Sequence, residues 1–335
     1  MHQRDRIVTL AQNLGFQHVR FTPVGEAVHF PQFQEWLSEG HHGSMAYMAK
    51  AQDVRKNPAS RLPGAKTAMV LALEYDHLRP PNPGGLVGKV AAYAWGRDYH
   101  NLIGKRLRKL RKRLDEAGIQ CWGGVDTAPI LERSWATEAG LGFNGKNGVQ
   151  ILPAHGSYMF LSVLFLTAEI APDPPRGDHC GSCVRCLNAC PTDAFQGPRV
   201  LDSRKCIAYW TIENRGRVPV SIRSQMGQWF FGCDDCQTVC PHNVSAPETA
   251  EADFRPRNAW IDLEELLLSS DEVLMERFRG TPLRRPGAEA LKRNACIALG
   301  NLGNPEARGV LIKTLQNPSE LIQEHARWAL ETLGV

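Results

Sequence analysis

Seven of the ten cysteines in this chain fall in two runs. The first reads Cys180-Gly-Ser-Cys183-Val-Arg-Cys186-Leu-Asn-Ala-Cys190-Pro191, and the second reads Cys233-Asp-Asp-Cys236-Gln-Thr-Val-Cys240-Pro241. With C-x2-C-x2-C-x3-C-P spacing, three thiolates on a tight loop grip three corners of a cubane iron–sulfur cluster, and the fourth ligates a second cluster. Two cubanes need about eight thiolates. The runs supply seven, because Phe230 stands where a full second repeat would carry a cysteine. Crossed ligation groups Cys180, Cys183, Cys186 and Cys240, and leaves Cys190, Cys233 and Cys236 one ligand short. Of Cys121, Cys206 and Cys296, only Cys206 lies between the runs, which makes it the natural eighth ligand. Structural zinc is the other chemistry open to Cys-x2-Cys pairs. Four cysteines in one run, and a proline after each run, argue against it. Two 4Fe–4S clusters are expected, and with them electron transfer.

A wire implies an acceptor. About 170 residues precede the cysteine module, and they are the place to look for a cofactor or substrate pocket. Gly140-Leu-Gly142-Phe-Asn-Gly145 matches the dinucleotide fingerprint in letters, but Ile130 to Ala139 before it reads as helix where the fingerprint needs a strand. A nicotinamide site is therefore rejected. Asp126, in Val125-Asp126-Thr127-Ala128-Pro129, sits at a probable strand end beside apolar residues. Desolvation there would raise its pKa toward proton-donor use. Local sequence alone favours a plainer role, the N-cap of a helix opening at Pro129. Tyr93-Ala-Trp95-Gly-Arg97-Asp98-Tyr99-His100 is dense in side chains that both stack and hydrogen-bond.

The elements that must position these groups follow from periodicity. Ile7, Leu10, Ala11 and Leu14 mark an opening helix ended by Gly15, and Thr67 to Leu73 is an apolar run typical of a buried strand. Ile103, Leu107, Leu110 and Leu114 fall at helical spacing among seven Lys/Arg between Lys105 and Arg113. Such a charge run is a solvated face unless a nucleic-acid site lies nearby. Tyr158 to Leu166 supplies a second core strand and is too short to span a bilayer. The pair His41-His42 reads as polar turn surface. Pro- and Gly-rich residues 171–177 mark a boundary.

The tail changes character. Residues 292–303 recur at 323–334 with matches confined to small or apolar positions, the grammar of a HEAT-like helical repeat. Ahead of it Arg277, Arg279, Arg284, Arg285, Lys292 and Arg293 face the single acid Glu289. A basic edge on stacked helices suits a phosphate backbone, with protein docking as the alternative. The whole chain has 335 residues, 43% hydrophobic and 22% charged, with a net charge of +4. That is the profile of a globular protein. Its first residues carry no apolar h-region, so no secretory signal is expected, and unpaired cysteines suit a reducing cytoplasm.

These stretches resemble those of the epoxyqueuosine reductase family along nearly the whole chain. The resemblance is carried by Leu62-Pro-Gly-Ala-Lys66, Tyr93 to His100, Val125 to Arg133, Gly140 to Asn147, both cysteine runs, Cys206 to Glu213, and Phe278 to Arg285. It implies reduction of epoxyqueuosine to queuosine at the tRNA wobble position, by base-off cobalamin fed through two 4Fe–4S clusters. The implied architecture is α+β, with a cobalamin-binding domain at 1–170, a ferredoxin-like module at 171–250 and a HEAT-like, tRNA-binding segment at 251–335.

Carried over by residue, Asp126 becomes the proton donor, which displaces the cap reading. Arg55, Tyr93, Arg97, Asp98, Gln150, Ala208 and Trp210, together with Asp126, fall in segments around the corrin. Arg215, Arg279, Arg284, Arg285, Lys292 and Arg293 become tRNA contacts. The implied partners are tRNA carrying epoxyqueuosine and an external low-potential electron donor, for a monomer that does not engage a membrane. Two alternatives share parts of this plan. A reductive dehalogenase would need an export signal and no basic tail. A non-catalytic ferredoxin-type carrier would leave the first 170 residues without a task.

Overall fold

In the computed structural model, which describes residues 2–334, the strands that position the site are β1 (His18–Pro23), β2 (Thr67–Glu74), β3 (Val87–Val90), β4 (Cys121–Gly124), β5 (Met159–Leu166), β6 (Trp229–Phe231) and β7 (Trp260–Asp262). The helices used below are α1 (Gln3–Asn13), α2 (Tyr99–Glu116), α3 (Glu132–Glu138), α4 (Ala288–Leu302), α5 (Ala307–Thr314) and α6 (Glu320–Thr332). Among the described residues no helix is long and apolar enough to cross a membrane.

The main sheet runs β1-β2-β5-β4, with every neighbour antiparallel. All residues of β2 are buried, so both faces of the sheet must be covered. The period of two decides what covers each face. Met69, Leu71 and Leu73 join Ile7 and Ala11 of α1 and Ile103, Leu107, Leu110 and Leu114 of α2 on one side. Ala68, Val70 and Ala72 join Trp135 and Ala136 of α3 on the other. β5 alternates in the same way, with Phe160, Leu164 and Leu166 on the first face and Met159, Val163 and Phe165 on the second.

The second sheet, β6-β3-β7, takes one strand from each of the three sequence blocks. β6 pairs parallel to β3 and β7 antiparallel. Their contact is close. A Cβ at Gly88 would lie 2.6 Å from the Phe230 Cβ, so only glycine fits at the centre of β3. The core is continuous through this sheet, running from α2 by way of Phe230, Phe231 and Phe278 to Leu291 and Leu299 of α4. The block boundaries in the sequence mark changes of composition, not breaks in packing.

The tail corrects two expectations. Arg293 is fully buried, and Lys292 is nearly so. Arg293 donates to the carbonyls of Trp210 (2.7 Å), Asn214 (2.9 Å) and Gly216 (2.6 Å). Its neighbour Asn294 donates to those of Thr211 (2.9 Å) and Phe230 (3.1 Å). The Lys292 ammonium is paired with Asp271 at 2.6 Å. Neither Lys292 nor Arg293 is free to meet a phosphate. They face inward because α4 is the central helix of the tail, packed against α6 on one side and β6 on the other.

His325 of α6 completes this join. Its Nε2 accepts from the Val218 amide at 3.2 Å, and its other ring nitrogen lies 2.7 Å from the Leu321 carbonyl. Burial pushes its pKa down to about 4; the Leu321 carbonyl opposes this, and the charges of Arg223 and Arg293 reinforce it. A folded pKa below the unfolded value near 6.5 gives stability that is complete above pH 6.5 and lost as pH falls toward 4. The melting temperature should therefore fall between pH 6.5 and 5, before most carboxylates titrate. His325→Gln should start lower but show a flatter slope over that window, checked by calorimetry. Parallel slopes for the two proteins would show that another group controls this range.

Candidate active site and metal centres

A cleft of about 1350 Å³ opens where the end of β4, the start of α2 and the Gly280–Arg285 turn converge. Its walls are wide because Ala51, Gly104, Gly123, Gly124 and Ala128 carry little or no side chain. Gly123 is required. Its φ is 146°, and a Cβ there would stand 2.0 Å from the Val163 carbonyl oxygen on the neighbouring strand. That close approach lets β4 run against β5 to its last residue and then release the chain into the cleft.

Asp126 is the second residue after that release. It adopts φ 53°, a left-handed conformation that aspartate tolerates better than most side chains. Its carboxyl remains more than half exposed to the cleft. The next helix begins at Glu132 with Leu131 before it, so Asp126 caps nothing. Its Oδ2 accepts from the Tyr99 hydroxyl at 2.5 Å and lies 3.1 Å from His100 Nε2. Asp98 lies on the far side of the same imidazole, its Oδ1 2.9 Å from His100 Nδ1. Asp98 also caps α2 by accepting from the His100 amide at 2.9 Å. One aspartate therefore starts the helix and aims the histidine at the other. Tyr99 lies between parallel rings, 4.1 Å from both Phe160 and His100.

The proton sits where these charges put it. Burial pushes the Asp126 carboxyl up, but hydrogen bonds from His100 and Tyr99, and the charges of His100 and Arg285, outweigh it and leave the pKa below the ordinary carboxylate value. This corrects the expectation of a desolvated, protonated aspartate. Burial likewise works against the charged His100, yet its two carboxylate partners raise it to about 9. At neutral pH the pair holds one proton, on the imidazole. Glu132, next to Asp126 in charge contact, is the neutral acid here: burial pushes it up to about 8, and the Asp126 charge adds to the effect.

The thiols form two neighbourhoods. Cys186 and Cys240 each lie within charge range of Cys180, and Cys240 also of Cys183. Cys233 lies near Cys206 and Cys236, Cys206 near Cys190, and Cys236 near Cys206, Cys186 and Cys190, so the two sets adjoin through Cys186 and Cys236. Burial pushes every one of Cys206, Cys233 and Cys236 upward. Thiols so buried form thiolates only against a compensating cation, which is the situation of a cluster ligand. The second neighbourhood is nearer the cleft, because Cys233 packs on the apolar group of Ala91, Ile207 and Trp229 against which Tyr93 also lies. Tyr93 lines the cleft.

Of the corrin candidates, Tyr93, Asp98 and Asp126 reach the cleft wall. Arg55 is outside the cleft lining, over the Phe33 ring, with its Nε directed to the Lys50 carbonyl. Arg97 points away to Asp253 at 3.4 Å. Gln150 is buried against the Leu141 carbonyl at 2.6 Å, and Trp210 donates to the Arg204 carbonyl at 2.8 Å. Ala208 lies on the turn before Trp210, outside the wall. Of the basic candidates, Arg284 and Arg285 line the cleft, with Arg285 paired to Glu213 at 2.9 Å. Arg215 donates to the Arg285 carbonyl at 2.8 Å, and Arg279 is exposed beside Glu276.

His100, Tyr99, Glu132 and Glu213 escaped the sequence reading as site residues. Only the Asp98-x-His100 spacing at a helix start hinted at the first. The charge run on α2 gains meaning from its place, since Arg108 and Arg111 line the same cleft, with Arg61 opposite them over Trp122.

A family sequence model described as epoxyqueuosine reductase QueG, DUF1730, matches residues 55–127, and one described as a 4Fe–4S double cluster binding domain matches residues 179–243. An epoxyqueuosine reductase of Pseudomonas aeruginosa is 43% identical over 338 residues, covering 96% of this chain and 92% of its own length. That of Escherichia coli K12 is 37% identical, with coverage of 95% and 86%. A crystal structure of epoxyqueuosine reductase with an epoxyqueuosine-modified tRNA stem loop superposes with TM-score 0.93 at 28% identity, over 99% of this chain and 90% of that one. A Bacillus subtilis enzyme described with its catalytic aspartate loop swung out of the active site gives TM-score 0.90 at 27% identity, over 98% and 90%. On identity, coverage and fold together, this chain belongs to the epoxyqueuosine reductase family.

Proposed function

We propose that this chain reduces epoxyqueuosine in tRNA to queuosine, with Asp126 delivering a proton to the epoxide oxygen. The observation that carries the reading is the placement of the half-exposed Asp126 carboxyl in a cleft whose Tyr93 lining packs on the same apolar group as Cys233 of the inner thiol set. The overall change takes up two electrons and two protons, and the oxygen leaves as water. The chain's tasks are to conduct electrons, to supply protons and to hold a nucleoside presented on a folded RNA.

Cys180, Cys183, Cys186 and Cys240 would hold one 4Fe–4S cluster and Cys190, Cys206, Cys233 and Cys236 the other, the second lying nearer the cleft. The residues present also fit a corrin. The cleft exceeds the roughly 1,000 Å³ upper range of pockets for drug-sized ligands, and small residues line it where a flat macrocycle would lie. Tyr93, Asp98, Asp126 and Trp122, all in the cleft lining, would hold base-off cobalamin. When bound, cobalamin supplies a low-valent cobalt able to donate electrons to an epoxide carbon.

Asp126 works as one end of a proton path. Its own pKa is low, so the stored proton resides on His100 and crosses the 3.1 Å contact as the epoxide oxygen gains charge. Tyr99, whose burial and contact with Asp126 hold its pKa far above the ordinary value, stays a phenol and keeps the carboxylate aimed. The cleft rim is cationic at Arg61, Arg108, Arg111, Arg284 and Arg285, which matches the phosphates on either side of a wobble nucleoside. That nucleoside comes on tRNA, and the electrons come from an external low-potential donor.

Asp126→Asn should keep both clusters and bind cobalamin, yet lose turnover by at least about 10²-fold; nucleoside mass spectrometry of epoxyqueuosine-containing tRNA measures it. Wild-type turnover by that variant would remove Asp126 from the chemistry. The pH profile carries a sign. The pair keeps its proton below pH about 9 and loses it above, so the rate should be level near neutrality and fall through pH 9. His100→Asn should move that fall to lower pH.

Cys206→Ala tests the ligand sets separately, since bound iron should drop from about eight per chain to about four. Arg108→Ala should weaken tRNA binding and reduce its log–log salt slope by about one, with cluster content unchanged.

A further inference from the structure

Outside the cleft and the cysteine module, one constellation has no part in the proposed reaction. His18 on β1, Glu74 at the end of β2 and His155 on the turn before β5 converge on one point. His18 Nε2 lies 2.8 Å and His155 Nδ1 2.7 Å from the same oxygen, Glu74 Oε1. The two imidazoles meet edge to face with centroids 4.6 Å apart. We propose that His18, Glu74 and His155 form a binding site for a single divalent transition-metal cation of the zinc class.

Three features carry the assignment. The donor set is two imidazoles and a carboxylate, a combination that zinc takes with a fourth position left for water. The donors sit on separate, rigid elements. β1 and β2 are paired along their length, and the His155 turn is closed by the Leu152–Gly156 bridge, so the convergence is fixed by the sheet. Access is graded. Glu74 is buried, His18 is mostly covered and the His155 side chain is 37% exposed, which leaves an open side for the cation and its water.

Conversion from hydrogen-bonded triad to metal site needs little. Tetrahedral ligands at the usual bond lengths stand about 3.3 Å apart, so each nitrogen must withdraw from Oε1 by about half an ångström. A small side-chain rotation supplies that. The ring protons now directed at Glu74 move to the opposite nitrogens, which have no protein partner among the described residues. The Glu74 amide is anchored to the Gln17 side chain at 3.1 Å, which fixes the backbone beneath the site.

A cation here would tie the His155 turn to the sheet. Ser157, two residues on, donates from its amide to Asn243 Oδ1 at 2.7 Å and from its hydroxyl to Gln237 Oε1 at 3.1 Å. Gln237 and Asn243 flank Cys240, so the site braces a turn that supports the second cysteine run.

The test uses full-length protein with both clusters intact, prepared anaerobically, exposed to zinc sulfate and then dialysed. Wild type should retain about one zinc per chain with iron unchanged, and its zinc K-edge spectrum should contain nitrogen and oxygen scatterers only. Glu74→Gln and His155→Ala should each lose more than about tenfold in zinc affinity at the same iron content. His155 is on a partly exposed turn, so its variant remains informative if Glu74→Gln folds poorly. Equal zinc retention in wild type and His155→Ala, sulfur scatterers at the zinc edge, or no zinc retained by wild type would each overturn the assignment.

Discussion

Five backbone carbonyls gripped by two buried side chains set the distance on which everything else depends. Arg293 and Asn294 of α4 hold Trp210, Thr211, Asn214, Gly216 and Phe230. Between those carbonyls run the π-helical turn after Cys206 and the strand leading to Cys233. The inner thiols and the Glu213–Arg285 pair on the cleft wall are thus fixed to one rigid helix. Burying a guanidinium is costly, and burial does lower the Arg293 pKa, to about 10. It stays charged because every donor direction meets an oxygen. Replacing it would leave several carbonyls unpaired in an apolar core, which costs about 1–3 kcal/mol each.

The same arrangement explains why the three sequence blocks cannot be separated. β3, β6 and β7 each come from a different block and form one sheet, so the cluster module has no closed core of its own. Tyr93 and Tyr99, with ring centroids 6.2 Å apart, consequently link the packing around the inner thiols to the Asp126 contact. Tyr93 is the layer between the inner thiols and the cavity, while His100 and Asp126 project from α2 and the end of β4.

Legibility in the sequence tracked how local each cause is. The cysteine spacing, the buried run of β2 and the helical period of α2 are written within a few residues, and the structure has each element where its period places it. The charge state of Asp126 is not local. It depends on Tyr99 and His100, which come from another element, and on Arg285, far along the chain. Apolar neighbours in sequence suggested a raised pKa; partners in space reversed it. Arg293 and Lys292 were misread for a related reason. A run rich in Arg and Lys is normally solvated, but these two fall on the inward side of α4, where carbonyls and Asp271 await them. Arg97 and Gln150 carry a similar lesson, since adjacency to a motif did not orient their side chains toward the cleft.

A half-exposed carboxylate below its ordinary pKa is a poor acid by itself, and that constraint shapes the chemistry. What makes it useful is a coupled neighbour whose proton affinity is far higher than the medium requires at neutral pH. Asp126 and, from the far side of the imidazole, Asp98 together supply that affinity, and Asp98 also starts α2, so the helix cap is part of the proton store. On the proposed reading, electrons arriving in the cleft would add negative charge beside Asp126, and negative charge favours protonation of the nearest carboxylate. On that reading, the transfer from His100 to Asp126 would then be driven by the same event that creates the need for a proton. The histidine, in contact with Asp126 and Asp98 and still 27% exposed, would take its next proton through the cleft that it lines.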